Sequence, residues 1–301
     1  MRRFPLASAL VLLSLVAGAP LPAQHPATGG DYAEVNGVRI HYKVDGTGPP
    51  LVLIHGWPSN SEWWDEHVPV FRKYYRVIRY DRRSFGKSGG TPDGTADPAD
   101  LDALLDRLGV DSAHVLGHAA GGPVALALAL NYPRRVRSLI LYGSAAPAGF
   151  GLPWNGPDAI PFAEARHAAR TAGLDSFWAI LNRHPVIAGE RFSAATAARI
   201  DRIHRSWSGV GILRDSLPRT GQVPPPRIDQ LREIRVPTLV LTGDREMPYI
   251  KVVAEALAYG IPNAKRVTVR GGGHLINASQ PAAFNDAVLR FLASVRRPAG
   301  R

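Results

Sequence analysis

The sequence contains no cysteine. Disulfides, thiolate metal sites, a cysteine nucleophile and lipidation on cysteine are therefore excluded. Methionine occurs twice and aromatic residues make up 8% of the 301 positions. Acidic residues are the scarcer charge, 25 against 36 basic, which gives a formal net charge of +11. A basic excess can serve nucleic acid or an anionic membrane. Here the basic residues are scattered, most of them arginine, and no nucleic-acid motif accompanies them, so no nucleic-acid partner is expected. Beyond the first twenty residues there is no hydrophobic run long enough to span a bilayer. What remains is ordinary globular usage, 45% hydrophobic and 20% charged, over a length suited to one large domain or two small ones.

The N-terminus reads as an export leader over residues 1–23. Arg2 and Arg3 supply positive charge, residues 4–19 an apolar run, and Leu21-Pro22-Ala23 a cleavage site before Gln24. The expected destination is the periplasm or the exterior, with no membrane attachment after cleavage. Oligomeric state is not legible.

From Tyr32 onward strand-like and helix-like segments alternate. Strands are expected at 32–35, 38–44, 51–54, 76–80, 114–116, 136–142, 239–242 and 266–269. The first two are joined by Asn36-Gly37, a hairpin turn signal. Helices are expected at 61–73, 98–108, 123–130 and 281–295. Strands interleaved with helices imply an α/β fold with a mostly parallel sheet. Between Ser144 and Arg227 the alternation stops. The segment has helical spacing and seven aromatics, Phe150, Trp154, Phe162, Phe177, Trp178, Phe192 and Trp207, and ends at Val223-Pro224-Pro225-Pro226. It reads as a helical cap over 145–225, inserted in a core of 31–144 and 226–297.

Five short motifs follow strands in order: His55-Gly56-Trp57-Pro58, Asp81 to Ser88, Gly117-His118-Ala119-Ala120-Gly121-Gly122, Gly243-Asp244-Arg245-Glu246 and Gly273-His274. On these motifs the chain, from Tyr32 to Val295, resembles the α/β-hydrolase family, in its lidded esterase, perhydrolase and epoxide-hydrolase-like branch. The resemblance implies an eight-stranded, mostly parallel sheet flanked by helices. It also implies ester or related acyl hydrolysis by a nucleophile, a histidine and an acid, met in that chain order. His274 matches the base. Glu246 matches the acid, with Asp244 the alternative. The backbone N–H groups of Ala120 and Trp57 match the oxyanion donors. No cofactor or metal is implied. The aromatic cap suits a small apolar or aromatic ester-like molecule.

The nucleophile position departs from the pattern. It holds Ala119 where the family has serine or aspartate, and a methyl group cannot attack a carbonyl carbon. Hydrolysis is then strongly impaired. Two alternatives stand beside that reading: an enzyme using a His274–carboxylate dyad without a nucleophile, in the manner of lyases or dioxygenases, and a non-catalytic small-molecule binding protein. Ser84 and Ser144 are polar residues near the sheet's carboxyl edge, each a weak substitute nucleophile. His118 is expected to point away from the pocket, and His55 to support its loop. Asn277-Ala278-Ser279 matches a glycosylation acceptor by pattern only.

Overall fold

The computed structural model describes residues 30–153, 155, 159–184, 190–213 and 223–295. The leader expected at 1–23 lies outside them. Eight strands form one sheet: β1 (Asp31–Val35), β2 (Val38–Asp45), β3 (Pro50–Ile54), β4 (Arg76–Tyr80), β5 (Ala113–His118), β6 (Val136–Tyr142), β7 (Thr238–Gly243) and β8 (Ala264–Val269). Their spatial order is β1-β2-β4-β3-β5-β6-β7-β8. The β1–β2 and β2–β4 pairs are antiparallel; the remaining pairs are parallel.

Composition explains the arrangement. The central strands are short apolar runs, Pro50–Ile54 reading PLVLI and Val136–Tyr142 reading VRSLILY, with both faces covered. One face packs Val52, Ile54, Val115 and Val240 against the helices Asp97–Arg107, Gly121–Asn131 and Pro248–Gly260. The other packs Leu51, Leu53, Leu116 and Leu239 against Trp64, Phe71 and the last helix, Pro281–Ser294. Most element boundaries lie within two residues of those expected. The single helix expected at 61–73 is instead two short pieces, a 3-10 turn Ser61–Trp64 and one α-turn Val68–Phe71. Pro69 lies in the first turn of the second piece, where its missing N–H does no harm, but it bars one continuous helix.

After β6 come the cap helices Phe162–Ala172, Leu174–Leu181 and Ala194–Arg205, then the short turn Val210–Leu213. They close on an apolar cluster of their own, Phe177, Trp178, Leu181, Trp207 and Ile212, onto which the core supplies Phe85 and Trp57. Trp57 meets Phe162, Phe177 and Trp207 with ring centroids 5.2–5.9 Å apart, all edge to face. The cap is thus fastened to the loop after β3, directly above the carboxyl ends of the central strands.

Candidate active site

At the end of β5 the chain reverses into the helix Gly121–Asn131. The reversal requires close approach of strand and helix: a Cβ on Gly117 would lie 2.4 Å from the Gly121 carbonyl oxygen. The residue at the apex is Ala119, with φ +46°, left-handed backbone that a non-glycine residue rarely adopts. Its N–H donates to the Tyr142 carbonyl at 3.0 Å, and its carbonyl accepts from Gly122 and Ala145 at 2.9 and 3.0 Å. Backbone hydrogen bonds therefore hold the strained residue in place from three sides.

His274 comes from the loop after β8. The Tyr142 hydroxyl donates to its carbonyl at 2.6 Å. Gly143, at φ +51°, has no side chain to keep the ring off: a Cβ there would touch His274 Cε1 and Nδ1 at 3.2 Å. His274 Nδ1 is 3.0 Å from Glu246 Oε2 and 3.2 Å from Oε1. The Glu246 side chain is fully buried, and its Oε1 also accepts the Met247 N–H at 2.9 Å. Burial alone pushes the His274 imidazole down; the Glu246 charge and hydrogen bond, with Glu190 adding, hold it above the ordinary value. Asp244, the alternative acid, is exposed and accepts from the Gly271 N–H at 2.8 Å. It fastens its own loop and does not meet His274.

Between core and cap lies a cavity of about 180 Å³ lined by Trp57, Ala119, Ala120, Phe162, Trp178 and His274 among others. Neither the Trp57 N–H nor the Ala120 N–H donates to a protein group among the described residues. The Ala120 N–H precedes the first turn of a helix, where N–H groups lack helical partners.

His118 departs from expectation: it lines the cavity. Its ring is sandwiched between Trp63 and Tyr142, at 5.4 and 4.3 Å, and stands 5.4 Å from the His274 ring. Burial, with His274 beside it, holds His118 well below the usual imidazole value, so it is neutral. His55 supports its loop as expected. Its Nδ1 pairs with the Gly56 carbonyl at 2.7 Å and its Nε2 accepts the Arg82 N–H at 2.9 Å, while burial lowers it to about 3. Ser84 and Ser144 do not line the cavity; Ser144 Oγ donates to the Ala145 carbonyl at 2.9 Å. Asn277 is wholly buried, so its side chain offers no exposed acceptor. Sequence reasoning passed over Glu190 and the cap residue His204, both brought to the site by cap docking.

The family model for the alpha/beta hydrolase fold matches residues 49–281. The chain belongs to that family. A 2-hydroxy-6-oxononadienedioate/2-hydroxy-6-oxononatrienedioate hydrolase of Paraburkholderia phymatum is 32% identical to it, over 85% of this chain and 91% of its own length. Among solved structures, a hydrolase from Pseudomonas aeruginosa PA01 superposes with a TM-score of 0.69 at 28% identity, covering 89% of this chain and 99% of that one. Est816, described as an N-acyl homoserine lactone degrading enzyme, superposes at 0.68 with 26% identity, over 87% and 100%.

Proposed function

We propose that this is an acyl-hydrolase site for a small ester or lactone, with its covalent step closed by alanine at position 119. The observation that carries the reading is the assembly around Ala119. A strained elbow residue, a His274–Glu246 pair and two unengaged N–H groups share one apolar cavity. A hydroxyl at the elbow would have a base for its proton and, in the Trp57 and Ala120 N–H groups, donors for the developing oxyanion. Without it, the base and the donors act only on water and on the bound carbonyl. By analogy with triads, the missing nucleophile lowers turnover by roughly 10⁶-fold and leaves about 10³–10⁴ over water. The hydrolase names of the relatives support the reaction class.

The test is Ala119→Ser, assayed on short p-nitrophenyl esters. A gain of several orders of magnitude that His274→Ala abolishes is expected. No gain in a folded variant contradicts the reading.

A second reading has its own support in the Glu246-raised basicity of His274: the dyad serves as a base in a reaction with no covalent intermediate. In that case Ala119→Ser leaves the native activity almost unchanged, and His274→Ala removes it.

A further inference from the structure

The cavity's polar groups point to the charge of its ligand. Apart from His274 and its neighbour His118, two polar side chains other than indoles line it, Ser59 from the loop after β3 and His204 from the cap. Both are unengaged. Ser59 Oγ is buried and has no hydrogen-bond partner. The His204 ring lies flat on Trp178, centroids 4.0 Å apart and planes 7° from parallel, and makes no side-chain hydrogen bond to a described residue. Stacking occupies a face of the ring; the nitrogens lie at its edge, in plane, and stay available. The two groups come from segments fastened together, since Asn60 Nδ2 donates to Ser206 Oγ at 3.1 Å and Trp57 meets Trp207 at 5.2 Å.

The charged groups are arranged against an anion. No lysine or arginine side chain lines the cavity among the described residues. Two carboxylates stand at the base instead: Glu246 on His274 Nδ1, and Glu190, whose Oε1 accepts the adjacent Leu275 N–H at 2.9 Å. A ligand carboxylate would enter an apolar space with no lysine or arginine to pair it and two like charges nearby; His274, the one lining group held toward its charged form, is already paired with Glu246. Burial holds His204 down to about 4, so at neutral pH it brings one donor and one acceptor and no charge.

Resting on the cavity assignment made above, we propose that His204 and Ser59 form a hydrogen-bonding subsite for the polar end of an uncharged ligand, and that the cavity rejects carboxylates. Such a ligand has an apolar body and an ester, lactone or ketone oxygen. His204 is then a specificity residue contributed by the cap.

The test uses the unmodified chain at pH 8 and needs no turnover. Three probes of matched shape are titrated against the tryptophan fluorescence: 4-phenylbutan-2-one, isopentylbenzene and 3-phenylpropanoate. The ketone is expected to bind about 10-fold or more tighter than either of the others. His204→Phe, which keeps the stack on Trp178, brings the ketone down to the hydrocarbon's affinity without changing the hydrocarbon, and His204→Gln restores the difference. Binding of the anion as tight as that of the ketone overturns the proposal. So does an undiminished ketone preference in His204→Phe, or failure of all three probes to bind. Hydrocarbon binding serves as the check that the variant cavity is intact. The esterase assay of Ala119→Ser is independent of these results, so loss of the subsite and loss of the acyl-hydrolase reading are told apart.

Discussion

At the scale of single residues, the site rests on Ala119, whose backbone is strained and whose side chain does no chemistry. Three backbone hydrogen bonds fix the bend, so the conformation survives without a functional side chain. Thermal midpoints are therefore expected in the order glycine at or above alanine, then valine. Ala119→Val should cost about 1–2 kcal/mol, because a β-branched side chain fits left-handed backbone worst. A valine variant as stable as the parent would contradict the strain. The pH behaviour follows from His274. Its pKa stands above the ordinary value and the base must be neutral to act, so activity in Ala119→Ser should fall as pH drops through a midpoint above 6.5. Glu246→Gln should lower that midpoint and reduce turnover by roughly 10⁴-fold, by analogy with triads that lose their acid. A pH–rate profile of both variants measures this, and an unmoved midpoint counts against the dyad. The preference for Glu246 over Asp244 came from the family resemblance. The structure adds that Glu246 is buried against His274 Nδ1 while Asp244 is exposed, a difference the motif does not carry.

At the scale of elements, the elbow was the most legible part of the chain. The glycines around Ala119 already implied close strand–helix contact, and the Gly117 Cβ position 2.4 Å from a carbonyl oxygen gives the reason. Gly117→Ala should destabilise by roughly 1–3 kcal/mol or more, since backbone rather than a flexible side chain must move. A denaturant midpoint equal to the parent's would refute that. The broken helix after β3 and the inward His118 were not legible. A helical period over 61–73 does not reveal that Trp63 stacks on the His118 ring while Trp64 stacks on Phe284 and meets His118 edge-on. Alternation along β5 gives the face of His118, but not the loop from 274 that folds across that face. His204 had no local signal at all, because its partner Trp178 sits on a different cap helix.

At the scale of the whole molecule, the fold buries several histidines in neutral form. Burial lowers His55 to about 3 and His67 to about 4, and carries His118 well below its ordinary value. A group whose folded pKa is depressed below the unfolded 6.5 binds its proton first in the unfolded chain. Stability is then full above pH 6.5 and declines as pH falls toward 4, by on the order of 1 kcal/mol per pH unit for each such histidine. His274, raised in the fold, acts in the opposite sense but is one against four, since burial lowers His204 to about 4 as well. The melting temperature should fall steadily from pH 7 to pH 4.5, and a flat profile would contradict this burial. Export over residues 1–23 is a proposal at the same scale, checked by the N-terminal mass of protein recovered from the periplasm, expected to begin at Gln24. The site itself is a whole-molecule property: residues 57, 119, 246 and 274 come from the four connections after β3, β5, β7 and β8 and meet only when the sheet is assembled. The most direct measurement is covalent labelling of Ala119→Ser with a fluorophosphonate, read by intact mass and peptide mapping. One adduct at position 119 is predicted, absent from the parent chain and lost when His274→Ala is added. A folded Ala119→Ser that takes no label, or takes it equally well without the imidazole, would contradict the account.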